Sequence, residues 1–262
     1  MNEYLEFSQS LALEAGKVMR QYFLASERTW KEDDSPLTIA DTEINNLVID
    51  RIQEKYPDHS IHGEERSEYK DSKFMWVCDP IDGTLQYSSG IPASTFSLAL
   101  VIDGVSNVGV VYDPFNDRMF HASLGEGAFL NNAQIHVSTQ ATLANAVIDV
   151  ETLYDRKIST EVALSNSFRD VLSDKGVKTT QLWSSILPSA LVAQGSFLAV
   201  IMNGHTVQDG AAIKVIVDEA GGRVTDMYGN EQRYDELARG FIASNGLVHD
   251  ELVAMIKDHT LS

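Results

Sequence analysis

Apolar positions Tyr4, Phe7, Leu11, Ala15, Val18 and Tyr22 recur at spacings of three and four, so the chain opens with a helix that buries one stripe and leaves its other face to water. A second stripe, Ile44, Leu47, Val48 and Ile52, predicts another helix, which Pro57 and the restriction it places on Tyr56 bring to an end. Asp41 falls near that helix's beginning. Extended segments follow at Ser60–His62 and Phe74–Val77, then strands around Thr95–Ile102, Asn107–Tyr112 and Arg118–Ala122, parted by the turn signals Asp103-Gly104 and Asp113-Pro114. The middle of the chain reads as a meandering sheet.

The second half alternates differently. A helical stretch is expected around Glu161–Leu172, a strand near Thr179–Trp183, and a short helix after Pro188 that ends at Gly195. A further helix runs from Asp209 to Ala220 and closes on Gly221-Gly222 as a C-terminal glycine cap, Gly229-Asn230 forms a turn, and Leu247–Lys257 is a last helix. Between Lys178 and Asp209 no residue is acidic or basic apart from His205, yet Gln181, Ser184, Ser185, Pro188, Ser189, Gln194, Gly195 and Asn203 interrupt the run of about 20 apolar residues that a membrane span needs. Buried β-α-β structure fits that segment. The class is mixed α and β in a single domain of residues 1–262, with a change of layer near residue 145.

Composition narrows the partners. Of 262 residues, 20 are Lys or Arg and 38 Asp or Glu, a formal charge of −18 that argues against nucleic acid and anionic membranes, which need clustered basic side chains. Cys78 is the only cysteine and the N-terminus lacks the basic-then-apolar pattern of a signal peptide, so a reducing cytoplasm is expected.

The chemistry gathers in four acidic clusters: Asp41, the pair Glu64-Glu65, the pair Asp79 and Asp82, and Asp209. The apolar run Phe74–Cys78 delivers Asp79 at the end of a buried strand, where Pro80 and Gly83 turn the chain. Ionised carboxylates crowded at a partly buried site raise each other's pKa unless a cation neutralises them, and hard oxygen ligands suit Mg²⁺. Gly83 and Thr84 add backbone N–H groups beside a hydroxyl, and a helix starting there would favour an anion. Asp-Pro-Ile-Asp-Gly-Thr taken alone is also what an ordinary turn uses. Other phosphatase patterns fail: Asp79 and Asp82 are three apart where a phosphoaspartyl mechanism wants two, and the sixth position after Cys78 is Thr84 where a cysteine phosphatase needs Arg. Gly125-Glu126-Gly127 lacks the third glycine of a dinucleotide loop, and no His-Glu-x-x-His zinc pattern occurs.

Gly63-Glu64-Glu65, Asp79-Pro80-Ile81-Asp82-Gly83-Thr84, and Asp209 followed by Ala211-Ala212 and Glu219-Ala220-Gly221-Gly222 resemble, in that order, the inositol monophosphatase family. Asp41 in Thr38-Ile39-Ala40-Asp41, the segment Gly109–Pro114 and Gly125–Phe129 extend the likeness over nearly the whole chain. The resemblance implies an α/β/α/β/α layered sandwich, commonly homodimeric. Its activity would be lithium-sensitive hydrolysis of a small phosphomonoester, dependent on two or three Mg²⁺ ions, with Mn²⁺ as a substitute. By similarity Glu64, Asp79 and the Ile81 carbonyl would hold one ion, and Asp79, Asp82 and Asp209 a second, about 3.5–4 Å away, the spacing at which two metals clamp attacking and leaving oxygens. Thr84 with Asp41 behind it would activate the attacking water, beside Glu64. The Gly83 and Thr84 amides would take phosphate oxygens, and Glu65 would support the ligands from behind.

Departures bear on substrate. Gln208 stands where family members usually carry Trp, Leu85-Gln86-Tyr87 replaces Thr-Asn-Phe, and Trp183 falls where glycine is usual, just before Ser184 and Ser185 on the segment expected to line the substrate pocket. Met202, only a weak acceptor, occupies the place of a Glu that bonds inositol hydroxyls. Poor turnover of inositol 1-phosphate is therefore expected relative to histidinol phosphate, a sugar phosphate or a nucleoside monophosphate, unless Asn203 or His205 replaces the missing Glu. A non-catalytic regulatory role is the remaining alternative, opposed by the retention of every acidic ligand and Thr84.

Overall fold

The computed structural model describes residues 3–25, 27–151, 164, 167–204 and 207–259. The first helix, α1 (Glu3–Tyr22), and the second, α2 (Ile39–Lys55), fall where the apolar stripes place them, with the short strands β1 (Thr29–Trp30) and β2 (Pro36–Leu37) paired as a hairpin between. Then come β3 (Ser60–Gly63), β4 (Phe74–Asp82), the one-turn helix α3 (Thr84–Ser88), and the meander β5 (Thr95–Ile102), β6 (Val105–Asp113), β7 (Arg118–Ser123), β8 (Ala128–Leu130) and β9 (Ala133–Gln134). These strands form one seven-stranded sheet in the order β3-β4-β5-β6-β7-β8-β9.

A second sheet, ordered β11-β10-β12-β14-β13, is built from β10 (Val147–Glu151), β11 (Lys178–Thr180), β12 (Ala199–Met202), β13 (Arg223–Thr225) and β14 (Phe241–Ser244). Its helices are α4 (Phe168–Asp174), α5 (Ile186–Ala193), α6 (Val207–Glu219) and α7 (His249–His259). The predicted β-α-β segment is thus β11-α5-β12.

Strand alternation sorts the core into layers. From β4 and β5, Trp76, Cys78, Phe96, Leu98 and Leu100 pack on α1 and α2, while Met75, Val77, Ala99 and Val101 face α5 and α6. Those two helices also cover Val200, Met202 and Ala243 of the second sheet, whose opposite face, with Ile148, Val150, Ala199 and Ile201, packs on α4 and α7. The order is α/β/α/β/α, as the resemblance implies. Gly109 permits a close approach of sheet and helix: a Cβ there would lie 2.6 Å from the Ala212 carbonyl on α6.

Three boundaries differ from expectation. The helix α5 begins at Ile186, two residues before Pro188, because a proline in the first turn lacks only an N–H that has no helical partner there. The helix α6 begins at Val207 and so carries Asp209 in its first turn. The strand expected near Thr179–Trp183 stops at Thr180, and Trp183 takes a left-handed φ of 53° incompatible with a strand. Of the helical stretch expected around Glu161–Leu172, α4 supplies Phe168 onward, and residues 161–163, 165 and 166 lie outside the described residues, as does His205.

Candidate active site

The centre is built at the end of β4. Side chains three apart on a regular strand face opposite ways, but β4 bulges here: Asp79 pairs with Ser97 and Asp82 with Thr95, so one extra residue on β4 returns both carboxylates to the same side. Pro80, with no N–H to lose from the ladder, sits within the bulge. Gly83 then turns the chain into α3 at φ 80°, a conformation suited to glycine, held by the Ser94 hydroxyl donating to its carbonyl at 2.9 Å.

The α6 first turn brings Asp209 to this corner, and carboxylate oxygens of Asp79, Asp82 and Asp209 lie within 4.8 Å of one another. Asp82 is well satisfied: it accepts from the Ser184 hydroxyl, from Ser185 N at 3.1 Å, Ile186 N at 3.2 Å and Thr95 Oγ1 at 3.4 Å. The first turn of α5 thus faces this carboxylate with its free amides. Asp209 accepts from Ser185 Oγ at 3.0 Å. Asp79 is different, for its Oδ1 is buried and has no hydrogen-bond partner. Burial first, then the charges of Glu64, Asp82 and Asp209, drive the Asp79 carboxyl well above the usual range. Burial and neighbouring Asp82 and Glu64 do the same to Asp209, whereas burial lifts Asp82 to about 6 against its hydrogen bonds. Three crowded carboxylates, one with an orphaned oxygen, fit a hard divalent cation that would reverse each of these penalties.

Glu64 lines the same cleft but lies outside that trio; its carboxylate accepts from Lys31 Nζ at 2.8 Å, and Glu65 accepts from the same ammonium at 2.6 Å. Burial disfavours the Lys31 charge, but Glu64 and Glu65 outweigh it and hold the ammonium above its ordinary range. On the other side, Asp41 is the third residue of α2. Its Oδ2 accepts from Thr38 N at 2.8 Å and Thr38 Oγ1 at 2.6 Å in a capping box, which leaves Oδ1 for the Thr84 hydroxyl at 3.2 Å. Thr84 Oγ1 also lies 2.8 Å from the Ile81 carbonyl. Burial raises Asp41 to about 6 despite the Thr38 bonds.

Around this corner opens a cleft of about 760 Å³ lined by Gly83, Thr84, Leu85, Ser184, Ser185, Met202 and Gln208, with Trp30, Lys31, Asp33 and Asp34 contributed by the β1–β2 hairpin and Glu151 by β10. Glu64, Asp79, Ile81, Asp82, Gly83, Thr84, Leu85, Trp183, Ser184, Ser185, Met202, Gln208 and Asp209, all singled out in the sequence, line this cleft, whereas Asp41, Glu65, Gln86 and Asn203 do not. The hairpin residues and Glu151 were missed, since neither lies in a run with a recognisable spacing.

A layered α/β protein that sets a carboxylate cluster beside a glycine and a threonine has the architecture of a phosphomonoester hydrolase. The comparisons make this specific: the chain belongs to the inositol monophosphatase family, whose model matches residues 1–261. It is 31% identical over 256 residues to a fructose-1,6-bisphosphatase/inositol-1-monophosphatase of Thermotoga maritima, covering 97% of this chain and 96% of that one. It is 30% identical over 260 residues to a histidinol-phosphatase of Chlorobaculum parvum, covering 98% and 97%. A solved Thermotoga maritima IMPase superposes with a TM-score of 0.86 at 30% identity, covering 98% of each chain. The protein is a phosphomonoester hydrolase of this family. Among the described residues no helix is long and apolar enough to cross a membrane.

Proposed function

We propose that the carboxylate corner is a magnesium-dependent hydrolytic centre acting on a small phosphorylated metabolite, with Glu64, Asp79, the Ile81 carbonyl, Asp82 and Asp209 holding the ions. The observation that carries this reading is the buried, unpartnered Asp79 Oδ1 among carboxylates within 4.8 Å. Magnesium there, or manganese in its place, supplies charge neutralisation for the phosphoryl oxygens and lowers the pKa of a bound water. The protein's own residues do the rest. Thr84 Oγ1 accepts a proton from the attacking water while donating its own to Asp41, whose pKa of about 6 suits a general base at neutral pH. The Gly83 and Thr84 amides orient the phosphate in line, and the ester oxygen leaves with the alcohol.

Lithium sensitivity and a homodimer belong to the same reading and rest on the family likeness, while a cytoplasmic setting and a single domain over residues 1–262 rest on the lone Cys78 and the lack of a linker in the sequence. Candidate substrates are the inositol and sugar phosphates and the histidinol phosphate named for the relatives. The test is phosphate release from a panel of phosphomonoesters with and without Mg²⁺, alongside Asp82→Asn. Magnesium-dependent release that the substitution abolishes is expected; release unaffected by chelator, or none from a folded protein, defeats the reading.

A further inference from the structure

Beside the carboxylate corner the cleft wall carries a further buried acid, Glu151. Glu151 is the last residue of β10 and lies directly across from Met202 in the parallel register of β10 and β12. Both line the cleft. One strand over from Met202, the cleft is thus given an acidic group. Glu151 is 6% exposed, and its Oε1 accepts from the Trp183 amide at 2.6 Å. That bond fixes the carboxylate beside an indole that is 52% exposed at the cleft wall. Trp183 takes a left-handed φ of 53° where its N–H meets Glu151.

The charges around Glu151 are one-sided. Asp149, two residues back on the same face of β10, is fully buried, accepts from Thr180 Oγ1 at 2.6 Å and shares a hydrogen bond with the Glu151 carboxyl. Arg169 on α4 offsets Asp149 and is engaged with Gln181 Oε1 at 3.1 Å. Asp82 approaches from the metal side. Burial and then Asp149 push Glu151 up to about 8, a penalty that a cation arriving in the cleft would remove. Among the described lining residues Lys31 is the only cation, and Glu64 and Glu65 occupy it.

A polyol is recognised by several acceptors spread over its hydroxyls, but Met202 offers almost none. A buried carboxylate beside an exposed aromatic face is instead the arrangement that recognises a protonated nitrogen, by ion pairing and by cation–π attraction. We propose that Glu151, with Trp183, determines specificity and selects a phosphomonoester whose alcohol carries an ammonium or imidazolium group. This rests on the phosphatase reading above for the position of the phosphate.

The test compares kcat/KM for histidinol phosphate and O-phosphoethanolamine with that for inositol 1-phosphate and 4-nitrophenyl phosphate, in the wild type and Glu151→Gln, with Mg²⁺. At least one nitrogen-bearing ester should exceed inositol 1-phosphate tenfold or more, and Glu151→Gln should erase that advantage mainly through KM while changing kcat for 4-nitrophenyl phosphate less than twofold. Inositol 1-phosphate as the best substrate, or an equal loss on charged and neutral esters, overturns the proposal. If Glu151→Gln does not fold, Trp183→Ala, which keeps the amide bond to Glu151, should weaken the nitrogen-bearing ester alone, and an even loss overturns the proposal. Absence of hydrolysis of all four esters defeats the phosphatase reading instead. Calorimetric binding of histidinol, seen in the wild type and lost in Glu151→Gln, would then still support Glu151 as the nitrogen site, and no binding would remove it.

Discussion

Asp79→Asn separates what the carboxylate corner does for stability from what it does for chemistry. Coulomb's law at an effective dielectric of about 20 gives roughly 3 kcal/mol of repulsion for two unit charges at the 4.8 Å that bounds the Asp79, Asp82 and Asp209 oxygens. In chelator, burial and its neighbours hold the Asp79 carboxyl well above the usual range, which favours its neutral form and relieves part of this repulsion. A carboxyl raised in the folded state stabilises at low pH and loses that contribution as pH climbs from the unfolded value toward the folded one. Wild-type stability in chelator should therefore fall with rising pH above about 4, and Asp79→Asn should flatten that fall. At pH 8 the variant should melt several degrees higher, at roughly 2–4 °C per kcal/mol for a chain of this size. Saturating Mg²⁺ should raise the wild-type Tm and leave the variant nearly unmoved, while the variant's phosphatase rate falls by at least about a hundredfold. Scanning fluorimetry across pH, with EDTA or Mg²⁺, reads all of this. A variant less stable than wild type in EDTA at pH 8, or one that keeps the full Mg²⁺ shift, refutes the reasoning.

Thr84→Val should lower kcat about a hundredfold or more, since in the proposed mechanism the hydroxyl relays a proton toward Asp41, and should also lower Tm by a few degrees because the buried Asp41 Oδ1 loses its donor; steady-state kinetics with a melt control checks both. Asp113→Ala should destabilise by about 3–5 kcal/mol in urea unfolding, since the fully buried carboxylate holds Arg118 Nη2 at 2.7 Å and the amides of Phe115 and Asn116. Gly109→Ala should lower Tm by several degrees, its Cβ meeting the Ala212 carbonyl and Val215 where α6 crosses β6. His249 is fully buried between Thr225 and Ser244, and burial lowers it to about 4. The unfolded chain takes up that proton near pH 6.5, so stability drops as pH falls from 6.5 to 4, and His249→Asn should flatten the melting curve in that window.

What the sequence disclosed follows from how each element is buried. The helices α1 and α2 and the strands β5 to β7 each have a signature: a stripe at helical spacing, or apolar runs cut by Asp-Gly and Asp-Pro turns. The strands β10, β12 and β14 have none, because Ile148–Glu151, Ala199–Met202 and Phe241–Ser244 are buried on both faces and show no alternation. The acidic ligands were visible because their spacing around Pro80 and Gly83 is unusual, and the bulge that makes Asp79 and Asp82 neighbours is the structural reason for that spacing. Ser184 and Ser185 were expected along the substrate; their hydroxyls are placed on Asp82 and Asp209, where they also orient the ligands. Glu151 and Lys31 reach the cleft from strands and a hairpin whose placement only tertiary structure reveals.

In the proposed mechanism Asp79, Asp82 and Asp209 hold divalent cations for hydrolysis. Crystals grown with Mn²⁺, which scatters anomalously where Mg²⁺ does not, test it directly. Anomalous density bounded by those three carboxylates is expected, with Glu64 turned toward it. A protein that still releases phosphate in the same Mn²⁺ buffer, yet shows no density at that corner, contradicts it.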